Sequence, residues 1–476
     1  MNGGSMTTLS RISMAAVAAL FVGMTPATAA DLGGNCCADL EERVAELEAT
    51  TARKGTRKVS LTISGQISQQ LVFWDDGVQS DTYISGPGTS NSRWRMAGSA
   101  KISPEWTAGF LYEFEAFGSS STFTQANGST PGLPTQGAAG GFGQTFGDDG
   151  GASHTSLREA MAWIESSRLG RVSIGHGSTA ANNAILVDLS NKGMAASNYV
   201  HLHSSAMLIG NGTGVVGPTG YNGTRNWGNF FNGATGNDWL NPRQEHIQYR
   251  TPTIAGFTLG ASFGEDNYWD VALRYAGEFN GIRIAGAIGY SVQSEWDRDL
   301  TASPFNAGLG TTLCNANCDK RTEQLAGSLS IRHMPTGLFF TGAAGKRDVD
   351  NHQEITGASI DATGAFTAAS ATGARSIDAD FFYLSGGVAR NFFGIGDTVI
   401  YGEYSEWRSA GDVSATAALE DDVLQHWGVG ILQNIDAASL ELWLAYKNYS
   451  LDTAAGSTLV NPDDLHMITA GTRIRF

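Results

Sequence analysis

From about residue 58 to its end the chain alternates between apolar and polar positions. In Val59-Ser-Leu-Thr-Ile-Ser-Gly-Gln-Ile-Ser-Gln-Gln-Leu71 the odd positions are mostly apolar, while Ser60, Thr62, Ser64, Gln66, Ser68 and Gln70 are all small or amide polar. A period of two puts one set of side chains on each face of a strand. This alternation runs longer than most strands of globular proteins. It predicts further strands near 91–102, 105–117, 157–165, 170–177, 245–251, 256–264, 268–279 and 281–293. Others follow near 322–334, 336–347, 378–391, 397–408, 423–435, 438–450 and 465–476, which makes sixteen.

The connections alternate as well. Ser103-Pro104, Ser166-Ser-Arg-Leu169, Thr251-Pro-Thr-Ile-Ala255, Met334-Pro-Thr-Gly337 and Asn434-Ile-Asp-Ala437 are short, whereas 118–156, 294–321 and 348–377 are long. An even strand number, short turns on one side and long loops on the other are the layout of an antiparallel transmembrane β-barrel, with the short side periplasmic. The predicted fold is therefore all-β, a 16-stranded antiparallel transmembrane β-barrel spanning residues 58–476. Eight strands would fill their interior with side chains, but sixteen leave an aqueous channel.

The first 57 residues differ. Arg11, the apolar run Met14–Met24 and the Ala27-Thr-Ala29-Ala30 site have the three parts of a secretory signal peptide, so residues 1–30 are expected to be removed. Residues 31–57 are expected to hold a short periplasmic helix. Cys37, Leu40, Val44, Leu47 and Thr51 repeat at three- and four-residue spacings among Asp39, Glu41, Glu42, Arg43, Glu46 and Glu48. Two heptads do not make a stable isolated coiled coil. Tethering in a trimer would raise their local concentration, and the alternative is a single solvated helix.

Composition narrows the classes. Charged residues are only 16%, Gly numbers 61 and aromatics reach 10%, with a mean hydropathy of −0.15. A barrel produces such averages because only alternate residues are apolar. The net charge of −16 argues against nucleic acid as a partner, and hints weakly at cation preference in a pore. Export makes disulfides permissible. Cys314 and Cys318, in a polar stretch, are candidates for an intraloop disulfide rather than half a zinc site, because no His or Cys clusters nearby. Cys36 and Cys37 bridge each other awkwardly, and pairing between subunits is the other option. No cofactor or metal is expected.

Parity orients the charges. Trp94, Met96, Ala100 and Ile102 claim the lipid face, so Arg93, Arg95 and Lys101 face inward. A charge on the lipid face costs roughly 2–4 kcal/mol near the midplane. Arg171, Arg274 and Arg283 turn inward for the same reason, and Arg158 and Arg250 join them less firmly. In the last strand Ile468, Ala470, Ile474 and the terminal Phe476 face lipid while Arg473 and Arg475 face the lumen. A C-terminal aromatic on an alternating strand is the kind of signal barrel-assembly machinery reads. The outer face itself implies contact with outer-membrane lipid and lipopolysaccharide.

The stretch Cys37-Ala-Asp-Leu-Glu-Glu-Arg-Val-Ala-Glu-Leu-Glu-Ala-Thr-Thr-Ala-Arg-Lys54, running into Lys58-Val-Ser-Leu-Thr-Ile-Ser-Gly-Gln66 and Phe73-Trp-Asp-Asp-Gly77, resembles the start of the alphaproteobacterial general porins of Rhizobium and Brucella type. The likeness returns in Ser92-Arg-Trp-Arg95 and in the last strand. It implies a homotrimer that passes ions and small hydrophilic solutes passively through the outer membrane. It also implies a third extracellular loop, here about 177–243, folded into the lumen, with Asp188 at the constriction opposite a basic wall of Arg93, Arg95 and the other inward cations. Two other readings stand beside this one. An enzyme is disfavoured because the nine histidines join no Gly-x-Ser-x-Gly or His-Glu-x-x-His motif. A sugar-selective channel would use Trp74, Trp163 and Trp443 as a stacking slide, although single aromatics more often belong to interfacial girdles.

Overall fold

The computed structural model describes residues 59–116, 155–200, 221–227, 239–294, 321–352, 375–410, 421–453 and 462–476, apart from positions 79, 241, 242 and 266, with short pieces inside 204–210 and 355–371. The expected leader, the expected helix and all four cysteines lie outside the described residues.

Sixteen strands form a closed antiparallel ring. They are β1 (Ser60–Asp75), β2 (Arg93–Lys101), β3 (Trp106–Ala116), β4 (Thr155–Ser166), β5 (Gly170–Ser178), β6 (Arg243–Arg250), β7 (Phe257–Gly264) and β8 (Trp269–Phe279). The second half comprises β9 (Ile282–Ser294), β10 (Arg321–His333), β11 (Leu338–His352), β12 (Arg375–Arg390), β13 (Thr398–Ala410), β14 (Asp421–Ile435), β15 (Leu440–Asp452) and β16 (Leu465–Arg475). Every predicted strand is present. Each pairs with its neighbour in the chain, and β16 closes on β1 from Gln66↔Arg475 to Asp75↔His466. A further strand, Ser80–Ser85, folds back on the end of β1 as a hairpin.

The outer face explains why the chain alternates. Ile63 and Ile67 on β1, Trp94 on β2, Ile174 on β5, Leu273 on β8, Phe340 on β11, Ile400 on β13 and Ile474 on β16 are all exposed. An exposed aliphatic or aromatic side chain is worth roughly 1.5–3 kcal/mol when removed from water, and a bilayer supplies that removal. One irregularity matters to the lumen. The β3–β4 register shifts after Glu113, which pairs with Glu159, while Phe114 pairs with Leu157. Arg158 is the extra residue of this β-bulge. Arg158 makes ion pairs with Glu113 and Glu115, and Glu159 receives hydrogen bonds from Ser178, so consecutive residues both serve the interior.

The core of the molecule lies inside the ring. The connection between β5 and β6, residues 179–242, enters the lumen and packs on the inner wall. Ala181, Ala184, Ile185, Tyr199 and Val200 of this loop are fully or almost fully buried with Ala272, Ala287, Ala326 and Ala343 of the wall. Farther along, Met194, Ala195 and Ala196 pack with Phe339, Tyr401, Leu432 and Trp443.

Candidate functional site: the lumen and its inward loop

The wall under the loop is built from small inward residues. Alternate positions of β8 to β11 include Ala272, Ala285, Ala287, Gly289, Ala326, Ser328, Ser330, Thr341, Ala343 and Gly345, nearly all of them buried. They leave room for a second layer of backbone. At Gly289 a Cβ would lie 2.9 Å from the Ala181 Cβ and 3.3 Å from that of Ala184. No larger residue fits there while the loop is in place.

The hydroxyls and carboxylates between these small residues fasten the loop. The Ala180 N–H donates to Ser262 Oγ at 2.7 Å and the Ala181 N–H to Asp270 Oδ2 at 2.9 Å. Ser328 Oγ accepts from the Val187 N–H at 3.0 Å and donates to the Ala184 carbonyl at 2.7 Å. The Leu189 N–H donates to Ser330 Oγ at 3.0 Å, and Arg332 donates to the Leu189 carbonyl at 3.2 Å. On the return path Tyr449 Oη donates to the Val200 carbonyl at 2.9 Å. A segment of irregular backbone is thus satisfied group by group, as burial demands.

Asp188 belongs to this fastening. It pairs with Lys192 at 3.1 Å, accepts from Ser190 Oγ at 2.8 Å and accepts from Thr341 Oγ1 at 3.1 Å. Burial pushes the Asp188 carboxyl up, but the Lys192 ammonium and the Ser190 hydrogen bonds outweigh it and hold the group below the ordinary aspartate value. Its ion-pair partner is Lys192. Arg93 and Arg95, expected opposite it, are held by Glu113 instead.

The other arc of the lumen is charged. On β2, β3 and β4, Arg93 reaches Glu113 at 3.3 Å, Arg95 Nε donates to the same carboxylate at 2.8 Å, and Arg158 bridges Glu113 at 2.8 Å and Glu115 at 2.5 Å. Arg93, Arg95 and Arg158 are therefore brought together, though by a glutamate on β3. On β15 and β16, Arg473 and Arg475 share Glu441.

The remaining predicted cations are spread along the wall. Arg274 turns inward and donates to the carbonyls of Ala180 and Asn182. Arg171 pairs with Glu165 at 2.6 Å and lies 4.1 Å from the Trp163 ring centroid. Arg250 is exposed and stands in register with Arg171 on one side and Gly260 on the other. Arg283 pairs with Glu278 at 2.7 Å beside the two-residue β8–β9 turn. Lys101 is exposed at the end of β2, in register with Thr107. Phe476 is exposed beside β1.

Sequence reasoning missed Glu113, Glu115 and Glu441, the acids that organise the arginines. It also missed Lys192, Arg332 and Arg347. The signal was there: Tyr112-Glu-Phe-Glu115 alternates as Trp94 and its arginines do, and a carboxylate in such a strand faces inward for the same reason. Trp74 and Trp443 also turn inward, but both are buried under packed side chains.

Comparison with known proteins agrees with this architecture. No curated protein matches the chain. Among solved structures, the anion-selective porin from Comamonas acidovorans superposes with a TM-score of 0.52 at 15% identity, covering 88% of this chain and 100% of that one. The outer membrane protein OmpT of Vibrio cholerae gives 0.49 at 12% identity, covering 89% and 99%. OmpF of Salmonella typhi gives 0.46 at 12% identity, covering 88% and 98%. Residues 15–419 match the model of the Gram-negative porins, and with a ring of sixteen strands around a charged lumen the chain belongs to that family, as a channel of the outer membrane.

Proposed function

We propose that the chain is a general diffusion porin, a passive water-filled homotrimer for ions and small hydrophilic solutes, of the alphaproteobacterial Rhizobium and Brucella type. The observation that carries this reading is the division of the lumen. One arc is covered by residues 179–242, and the arc opposite presents Arg93, Arg95, Arg158, Arg473 and Arg475 with their glutamates. Charges fixed on one side of a narrowed aqueous path make a transverse field that orients water and dipolar solutes and disfavours apolar ones. Such filtering needs no turnover, cofactor or metal.

In this reading the loop narrows the pore and Asp188 sets the constriction by holding the loop in position. The exposed loop positions include Asn183, Asn191 and Gly193, so the loop edge contributes amides and backbone. Residues 1–30 act as the cleaved leader and 31–57 as a periplasmic helix that associates in the trimer. Cys314 and Cys318 form the intraloop disulfide, which mass spectrometry of the envelope protein checks. The outer face contacts lipid and lipopolysaccharide.

Planar-bilayer recording tests the whole. The expected result is conductance in clusters of three equal steps that rises in proportion to salt. Single unclustered steps would refute the trimer. Conductance blocked by oligosaccharides at low concentration would favour the sugar-selective reading. Against that alternative, Trp74 and Trp443 are covered and Trp163 carries Arg171 over its ring, which leaves these three no open stacking slide.

A further inference from the structure

The charged arc has an internal order that its net charge conceals. In the middle lies β1, which presents only Ser64, Gln66 and Ser68 beside its neighbours' arginines. On one side Arg95 is in register with Ser64 and Arg93 with Gln66. On the other, Arg475 is in register with Gln66 and Arg473 with Ser68. The carboxylates that balance these cations stand one strand farther out, Glu113 on β3 and Glu441 on β15. Two positive rails therefore flank a neutral floor. With strands about 4.8 Å apart, the rails are roughly 10 Å from each other.

Burial decides which sign a solute meets. Glu113 and Glu441 have 3% and 5% of their side-chain surface exposed, whereas Arg95 and Arg475 have 47% and 54%. Four guanidinium groups against two carboxylates leave an excess of positive charge, and the carboxylates lie behind it.

One acceptor already occupies the floor. Ser90, in the connection before β2, accepts at Oγ from Gln66 Nε2 at 2.7 Å, from an Arg93 nitrogen at 3.1 Å and from an Arg473 nitrogen at 3.4 Å. Gln66 Nε2 also donates to the Asn91 carbonyl at 2.9 Å. Arg93 and Arg473 each turn one arm outward to a glutamate and the other inward to this hydroxyl. Donors from three strands converge where a single neutral oxygen stands.

We propose that this face of β1 is a binding station for a small oxyanion. Its several oxygens match forked guanidinium donors better than one hydroxyl does. The exposed Arg95 and Arg475 receive the ion, and Gln66 with the inner arms of Arg93 and Arg473 holds it above the floor. The chain, with its net charge of −16, thus carries an anion-preferring path. This rests on the porin reading and names the solute class of that pore.

The test is planar-bilayer recording of the full-length protein in a potassium chloride gradient, with inorganic phosphate added as the probe. Expected are a reversal potential on the anion side and a saturable fall in chloride current as phosphate is added. The Arg95→Gln/Arg475→Gln double variant should lose the phosphate effect and shift its reversal potential toward cations. Gln66→Glu, which changes charge with almost no change in size, should do the same and guards against misfolding of the double variant. Arg408→Gln, altering a residue paired with Glu406 outside this arc, should change neither readout. Channels that conduct yet ignore phosphate, or keep its effect in both variants, overturn the station and leave the porin reading standing. Absence of any conductance overturns both.

Discussion

The guanidinium of Arg274 on β8 donates to the backbone carbonyls of Ala180 and Asn182, so a cation facing the pore serves as the clamp on the loop that narrows it. The clamp sits where the loop leaves β5 and begins to cross the wall.

Removing the clamp should loosen that crossing without opening the ring. Arg274→Met leaves two carbonyls short of a donor, a local cost of about 1–3 kcal/mol for groups kept from water. Hydrogen exchange should quicken at residues 180–184 while the strand amides of β8 and β9 keep their protection. Unchanged exchange in the loop would mean that Ser262 and Asp270 suffice to hold it.

The Asp188–Lys192 pair should behave as a buried latch. Lys192 has 1% of its side-chain surface exposed and Asp188 16%. Asp188→Asn strands the ammonium, and breaking a buried pair from one side costs about 3–5 kcal/mol. The expected outcome is a noisy, heterogeneous conductance. Asp188→Asn/Lys192→Met should recover a steady current, because it removes the orphaned charge.

The same latch predicts a pH dependence. The Asp188 carboxyl is held below its ordinary value, so its contribution is fully present above the unfolded aspartate range, near pH 3.9. It is lost only as pH falls through the lower folded value. Limited proteolysis within the loop should therefore be unchanged on acidification down to about pH 4 and should rise below it. A rise already near neutral pH would assign loop release to another group.

The bed beneath the loop gives a steric prediction. At Gly289 a side chain would collide with Ala181 and Ala184, whereas the nearest atom to a Cβ at Gly402 is 3.9 Å away. Gly289→Leu should push the loop off the wall and change conductance markedly. Gly402→Ala should leave the current as it was.

Much of this fold was legible in the chain because lipid enforces the alternation. A polar residue on the outer face is costly at every strand, so Ile63, Trp94, Ile174 and Leu273 announce the ring one strand at a time. The inward direction of Arg93, Arg95 and Arg274 follows from the same constraint. Their partners were harder to read. Which acid meets which arginine depends on register, and the bulge that makes Arg158 and Glu159 adjacent interior residues is settled by packing between β3 and β4. The loop's path was readable in principle. Inward Ala, Gly and Ser on β8 to β11 make a poor lining for an open pore, but they make a good bed for a second layer. Asp188 was picked out as a charge facing the pore because its counter-ion, four residues along the loop, was overlooked.

The closure of the ring separates two roles of Phe476. Its backbone N–H donates to the Gly65 carbonyl at 3.1 Å, and its carbonyl accepts from the Gly65 N–H at 2.8 Å, so the last residue completes the β16–β1 seam. Its ring lies over Gly65, where a Cβ would fall 2.5 Å from the ring and 2.7 Å from the Arg93 carbonyl. Phe476→Ala keeps both backbone bonds and gives up only the ring, which faces outward. Purified and refolded into detergent without assembly machinery, this variant should form a heat-modifiable barrel nearly as well as the parent chain. In cells it should reach the envelope poorly, because the aromatic terminus is what the machinery reads. Deleting residue 476 removes the seam bonds too and should impair both refolding and assembly. Gly65→Val should fail in detergent even when combined with Phe476→Ala, since the Arg93 carbonyl cannot move aside as a ring can. Parent-level assembly of Phe476→Ala in envelopes would show that the ring is not the signal and that the terminus acts through the seam alone.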